Sequence, residues 1–210
     1  MTGAASIYRL PAKELYISLS ETYRYLGYMK VDPDETTAVI CGEVIKELVG
    51  VATPFAAYKC YDISTDPDTN RLDLGFCAIT SRDLMRNLNG CCRMYLFGAT
   101  IGPRVDAVIH RYSRTDPLRA LVAQAAGAML VESLCDSLNS HIRETEAEDG
   151  YSVRPRYSPG FGDVPLTFQR EIFTALPELS KNGLTLSESC LMMPSKSVTA
   201  MIGVKARYET

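Results

Sequence analysis

The chain has 210 residues, 46% of them hydrophobic and 22% charged, enough to bury a substantial core, and is expected to form a single domain over residues 1–210. Its formal net charge of −3, with no long basic run in either half, leaves no electrostatic footprint for nucleic acid or an anionic membrane surface. The opening M-T-G-A-A-S-I-Y-R-L lacks a basic segment followed by an unbroken apolar stretch, and the apolar runs read as too short for a membrane span, so a cytoplasmic location is expected.

In chain order, Tyr23, Tyr25 and Tyr28 read as amphipathic packing rather than a stacking platform. Asp32-Pro33-Asp34-Glu35 supplies a capping residue, a first-turn proline and acids that suit the helix dipole. A helix carrying Val39, Val44, Ile45 and Leu48 inward should follow and stop near Ala52-Thr53-Pro54. Two strands are expected at Ala56–Ile63 and Arg71–Thr80, joined across Ser64-Thr65-Asp66-Pro67-Asp68, with a short helix over Ser81–Leu88.

The seven cysteines are odd in number and sit mostly inside apolar runs. No C-x-x-C occurs and only His110 and His141 offer nitrogen ligands, so reduced, buried thiols are expected and no metal site. Cys91 and Cys92 would point to opposite faces of a strand and could not grip one ion together. Cys92–Ile101 is strongly β-prone, and Gly102-Pro103 opens a helix that turns Val105, Val108 and Ile109 inward.

Asp116-Pro117 is again a cap followed by a first-turn proline, and the helix it starts runs to about Arg143. Leu118, Leu121, Val122, Ala125, Met129, Glu132 and Asp136 share one stripe of about 100°, while Leu130, Leu134 and Leu138 gather opposite. A helix apolar on two sides belongs in the middle of a fold. Glu132 stands where the stripe calls for an apolar group, so it must meet either solvent or a cationic partner.

Residues 144–165 break the helical pattern and are rich in arginine, proline and glycine. Arg154 and Arg156 suit a carboxylate or phosphate, and Ser158-Pro159-Gly160-Phe161-Gly162 suits a tight turn that exposes main-chain groups. Gly160-x-Gly162 lacks the third glycine and the preceding strand of a dinucleotide fingerprint; there is no G-x-x-x-x-G-K-[ST], no H-E-x-x-H and no histidine beside a nucleophile. No catalytic residue is assigned. A helix over about Leu166–Leu176 follows, and Lys196 reads as a solvated lysine in a turn.

Arg156-Tyr157-Ser158-Pro159-Gly160-Phe161 resembles the R-x-x-P-G-Y loop of the activation (reactivation) domain of cobalamin-dependent methionine synthases. The stretch from Leu184-Thr185-Leu186-Ser187-Glu188-Ser189 to Met193-Pro194-Ser195-Lys196-Ser197-Val198 is similar to the same family's L-T-E-S…M-x-P…S-V-S segment. With the long helix, the resemblance spans roughly residues 115–203, and S-P-G-F-G-D-V-P-L with P-S-K-S-V is most like its short, free-standing members.

The resemblance implies an α+β single domain, with a twisted, mainly antiparallel sheet, a long central helix and surrounding helices. It implies S-adenosylmethionine as methyl donor, with Arg156 on its carboxylate, Glu132 at its cationic end, Ser158 and Gly160 through the main chain, and Phe161 stacking where the family has tyrosine. No D-x-H-x-x-G cobalamin-binding run occurs, so the cobalamin would belong to a partner: a corrinoid protein, or a methionine synthase lacking its own activation domain. A flavodoxin-like electron donor would serve the same reaction. The implied role is accessory, supporting reductive methylation of cob(II)alamin on that partner. The alternative is a non-catalytic module that binds a corrinoid protein without using S-adenosylmethionine. The terminal Arg207-Tyr208-Glu209-Thr210 stops short of the family's C-terminal extension, and no N-terminal aspartate equivalent to the family's ligand contact is found.

Overall fold

A computed structural model describes residues 4–29 and 31–206; Met1, Thr2, Gly3, Lys30 and the terminal Arg207–Thr210 lie outside the described residues. The frame is a five-stranded antiparallel sheet in the order β1 (Ser6–Tyr8), β2 (Phe55–Asp62), β6 (Arg93–Thr100), β10 (Ser197–Ala206), β7 (Tyr151–Val153). Successive side chains of the central strands enter opposite cores, as a period of two requires. Ala56, Phe97, Ala99, Ala200 and Ile202 face one core. Phe55, Ala57, Met94, Leu96 and Met201 face the other. Because both faces are covered, β6 and β10 read as nearly continuous apolar runs rather than alternating ones.

The first face is covered by α1 (Leu19–Tyr25), α2 (Glu35–Val51), α4 (Pro103–Thr115) and α5 (Pro117–Glu148). The second is covered by α3 (Arg82–Asn87), α6 (Gln169–Ala175) and α7 (Glu178–Lys181), with a small sheet of β3 (Ser64–Asp66), β4 (Arg71–Asp73) and β5 (Ala78–Thr80). A hairpin of β8 (Thr185–Leu186) and β9 (Met192–Met193) completes the elements.

Side-chain caps fix several boundaries, and of them Asp116 is the one the sequence marks as a cap. Asp116 accepts a hydrogen bond from the main-chain N–H of Arg119 at 3.0 Å with Pro117 in the first turn, and Ser81 caps α3 through Leu84 N–H at 3.0 Å. The α2 cap is Asp34, which accepts from Thr37 N–H at 2.9 Å, so the helix starts at Glu35 and Asp32-Pro33 lies before it. Val39 is accordingly turned outward at 55% exposure, while Val44, Ile45 and Leu48 are buried.

The single strand expected over Arg71–Thr80 is instead two, β4 and β5, hairpinned to each other. Gly75 turns the chain between them with φ +77, and an added Cβ there would meet the carbonyl of Asp62 at 2.7 Å. The two cysteines at the head of β6 have different surroundings: Cys91 is buried and Cys92 exposed.

The long helix α5 packs against α1, α2 and α4 on one side and against β6, β7 and β10 on the other. It continues past the expected Arg143 because Ile142 and Glu146 are still inside, at 1% and 3% exposure. Glu146 accepts hydrogen bonds from Arg93 at 2.5 Å and from the Tyr95 hydroxyl at 2.6 Å, so the carboxylate is paired where it is buried. One expectation is overturned: α5 is long and apolar enough for a membrane span by length and composition. That apolarity is used inside the fold, where Val122, Ala126, Leu130, Leu134 and Leu138 are fully buried. Leu118 and Leu121, assigned to the inward stripe, are exposed, because the first turns of α5 stand at the rim of a hollow shared with Leu26, Gly27 and Tyr28.

Candidate functional site

The segment after α5 returns along the edge of the sheet. Val153 pairs with Val204 of β10, and Tyr157 bridges Met201. Four steps on this segment therefore oppose three on β10, which is the one-residue surplus of a β-bulge. The surplus decides where the two arginines go. Val153 faces the helical core of α5, and Arg154 turns the other way, donating to the carbonyl of Asn87 at 2.9 Å. In unbroken alternation Arg156 would follow Arg154; with the extra residue it faces α5 instead, and Tyr157 faces the opposite core.

On α5, Arg156 meets two carboxylates one turn apart. Its Nη2 donates to Glu132 Oε2 at 2.9 Å and its Nη1 to Asp136 Oδ1 at 2.7 Å. The arginine side chain is 22% exposed, against 42% for Glu132 and 72% for Asp136. The sequence required either a cation or solvent at Glu132, and the structure supplies both, Arg156 and partial access to water. The helix does not emerge there, since Leu134, Cys135 and Leu138 beyond it are buried.

Beyond Tyr157 the chain closes on itself. Phe161 N–H donates to the Ser158 carbonyl at 3.3 Å, Gly160 N–H to Val164 O at 2.9 Å, and Val164 N–H to Phe161 O at 3.2 Å. The Tyr157 hydroxyl also donates to Phe161 O, at 3.0 Å. Gly162 has φ +53, and a Cβ on it would lie 2.5 Å from both Asp83 Oδ2 and the Tyr157 hydroxyl, so only glycine passes there. Asp163 fastens the loop to the start of α3, accepting from the Ser81 hydroxyl, from Arg82 N–H at 2.8 Å and from Asp83 N–H at 3.3 Å. The Ser81 hydroxyl, with the two main-chain donors, holds the Asp163 carboxyl below the usual aspartate range.

These residues enclose a hollow of about 280 Å³ lined by Glu132, Arg156, Tyr157, Ser158, Phe161 and Val198. Four of the five residues expected to touch a ligand are brought together. Gly160 is not among them: it sits at the turn with φ +89, over Leu166, whose Cδ1 would lie 3.4 Å from an added Cβ. Phe161 is 67% exposed, a ring presented outward. Asp136, Tyr157, Asp163 and Val198 were not singled out as site residues. Asp136 carried a legible signal, lying four residues beyond Glu132 on the same stripe; the others depend on the bulge and the loop closure.

Glu132 also borders a second, smaller hollow of about 130 Å³, between α5 and the segment leading into α1, with Tyr16, Glu21, Tyr25, Ser133 and Asp136. Tyr25 therefore departs from the packing role expected of it: it is 41% exposed, with Arg24 4.6 Å over its ring, whereas Tyr23 packs on the core. Lys196 departs as well. Its stem crosses Gly127, 3.1 Å from where a Cβ would stand, and its Nζ donates to Gln124 Oε1 at 2.6 Å. Burial holds its ammonium below the ordinary lysine value. Among the described residues no group of histidine, cysteine and carboxylate side chains has the arrangement to hold a metal ion.

No protein-family model matches this chain, and no curated protein matches it in sequence. Among solved structures it is similar to the crystal structure of the MetH reactivation domain bound to AdoHcy, with 16% identity and a TM-score of 0.67 over 99% of this chain and 80% of that one. The five-stranded sheet, the long helix across it and the loop that faces the helix thus form the fold of the MetH reactivation domain.

Proposed function

We propose that this protein binds S-adenosylmethionine in the hollow between α5 and the 156–161 loop, and supports reductive methylation of cob(II)alamin carried by a separate corrinoid protein or methionine synthase. The observation that carries the reading is the meeting of Arg156 and Glu132 at one hollow, in the fold of a domain whose crystal structure holds AdoHcy. S-adenosylmethionine carries a carboxylate, an ammonium and a sulfonium. A guanidinium fork suits the first and an anionic side chain the other two, with an exposed aromatic face for the adenine. Arg156, Glu132 and Phe161 supply that set, and the Ser158 main chain lies between them.

In the reaction, cob(II)alamin takes one electron from a reductant and the methyl group from S-adenosylmethionine, leaving methylcobalamin and S-adenosylhomocysteine. The residues of this chain bind and orient the donor and keep water from it, a task of proximity rather than acid–base chemistry. The bulge aims Arg156 at the hollow, Asp163 and Tyr157 hold the loop closed, and Phe161 bounds the open side. A flavodoxin-like protein is the electron donor this scheme calls for, and the cytoplasm is where it would operate.

The test is calorimetric titration with S-adenosylmethionine of the wild-type protein beside Arg156→Ala and Glu132→Gln. Saturable binding that both variants lose supports the reading; remethylation of a cob(II) corrinoid protein that is no faster with this protein present overturns it. One observation favours a second reading, a corrinoid-protein binding module that uses no S-adenosylmethionine: Arg156 is already engaged by two carboxylates. That reading expects no binding of S-adenosylmethionine even at about millimolar concentration, and partner binding indifferent to Arg156→Ala.

A further inference from the structure

The small sheet has a free edge at β5. On the β4 side, Leu74 N–H donates to the Cys77 carbonyl at 2.9 Å and Ser81 N–H to the Asn70 carbonyl at 3.0 Å. Residues opposite each other in an antiparallel ladder alternate between bonded and unbonded pairs, so with Leu72 opposite Ile79 the bonded pair between those two is Leu72–Ile79. Ala78 and Thr80 are then the unbonded positions, and their main-chain N–H and C=O groups point away from β4. β5 is the last strand of its sheet, both residues are exposed, and among the described residues no group hydrogen-bonds to the main chain of either.

That edge faces a groove. About 460 Å³ lies between β5 and the segment leading into α6, bounded on the far side by Pro165, Thr167, Phe168 and Glu171. Phe168 is buried at its base against Phe76, their ring centroids 6.3 Å apart. Glu171 is exposed, is the one charged residue lining the groove, and forms no ion pair among the described residues. Donors and acceptors repeated at every second residue match another extended backbone, whereas a helix has already satisfied its own. Natural edge strands are commonly guarded by lysine, proline or a bulge, and Ala78-Ile79-Thr80 has none. A second copy's β5 carries no cation for Glu171, so a basic strand is the better match.

We infer that β5 is a docking edge for an extended segment of a partner protein bearing a lysine or arginine. The segment adds to the small sheet by pairing its main chain with Ala78 and Thr80, sets its basic side chain against Glu171, and lays apolar ones over Pro165 and Phe168. This edge is separate from the hollow beside α5, and the inference does not rest on S-adenosylmethionine binding.

The probes are short end-capped peptides in which valine alternates with lysine, the same peptides with glutamate for lysine, and the lysine peptide N-methylated at all its valines or at all its lysines. Successive strand residues turn their N–H groups to opposite edges, so one N-methylated peptide should lose roughly tenfold or more in affinity while the other binds like its parent. Amide exchange followed by NMR should slow roughly tenfold at Ala78 and Thr80 on binding, with Ile79, already bonded to Leu72, little changed. Ala78→Pro removes an outward N–H and no ladder bond, and should weaken the lysine peptide by roughly tenfold. Glu171→Lys, at an exposed position, should reverse the preference to the glutamate peptide, which tests the pairing even where Ala78→Pro disturbs the strand. No binding of the lysine peptide at about millimolar concentration, equal behaviour of the two N-methylated peptides, or a lysine preference that survives Glu171→Lys overturns the inference. So does sedimentation that finds a dimer made monomeric by Ala78→Pro, since a second copy then occupies the edge.

Discussion

Asp136→Asn should tighten S-adenosylmethionine binding, and the structure sets how far. In the free protein each terminal nitrogen of Arg156 is committed to a different carboxylate, Asp136 at 2.7 Å and Glu132 at 2.9 Å. A ligand carboxylate that takes the fork in a bidentate pair must displace at least one of them. Asp136 is the one to yield, because its side chain is 72% exposed against 42% for Glu132 and water solvates it on release. Ion pairs this exposed are worth about 0.2–1 kcal/mol, so removing the competing charge should strengthen binding by about 1.4- to 5-fold. Calorimetric titration of the two proteins at the same salt concentration measures it. Glu132→Gln should act in the opposite direction, since it withdraws the partner of the ligand's cationic end. Weaker binding by Asp136→Asn, to the extent seen with Glu132→Gln, would show that Asp136 holds the ligand rather than competes with it.

The Asp163 carboxyl titrates below the usual aspartate range in the folded protein, so its contribution is fully present above the unfolded value of about 3.9 and is lost as pH falls through the lowered folded one. Urea unfolding should therefore show Asp163→Asn less stable than wild type near neutral pH, by a deficit that shrinks toward about pH 3; a deficit constant with pH would sink this account. Gly102→Ala should lower the thermal midpoint by a cost of about 2 kcal/mol, because φ +90 and a Cβ placed 2.0 Å from Thr53 Oγ1 leave no relaxed arrangement. Iodoacetamide at about pH 8 should modify Cys92, which is exposed, before Cys60 and Cys77, whose thiols burial pushes up to about 11. Peptide mapping that finds Cys60 or Cys77 alkylated first would refute the order.

What could be read from the residues is what local chemistry decides. The cap at Asp116, the short helix at Ser81, the glycine and proline that open α4, and the two apolar sides of α5 each depend on residues close in the chain, and each appears where the sequence placed it. The reading went astray where a distant contact decided. Asp34 rather than Asp32 caps α2, accepting from the N–H and hydroxyl of Thr37, and the helix begins two residues later than expected. The strand over Arg71–Thr80 broke because Gly75 must pass the carbonyl of Asp62. Lys196, a surface residue by its type, lies along α5 because Gly127 leaves it a groove. Leu118 and Leu121 carry the same periodicity as Val122 and Met129, but they stand at the rim of a hollow beside Leu26, Gly27 and Tyr28, where the sheet that covers the middle of the helix does not reach.

The site shows the same division, and there it bears on chemistry. Two arginines two residues apart, with equal claims by type, have opposite fates: Arg154 braces the end of α3 through a main-chain carbonyl, and Arg156 reaches the carboxylates of α5. Composition cannot separate them. What does so is the register against β10, where the one-residue surplus between the Val153 and Tyr157 pairings turns Arg156 to the other face. The same surplus sends Tyr157 to the α3 side, where its hydroxyl holds the carbonyl of Phe161 and closes the loop. One inserted residue thus aims the cation and shapes the turn beside it, so the loop motif has meaning only with the strand it pairs with. The partner of the 156–161 loop in forming the hollow is accordingly β10 as much as α5, and Val198, near the start of that strand, lines the hollow for that reason.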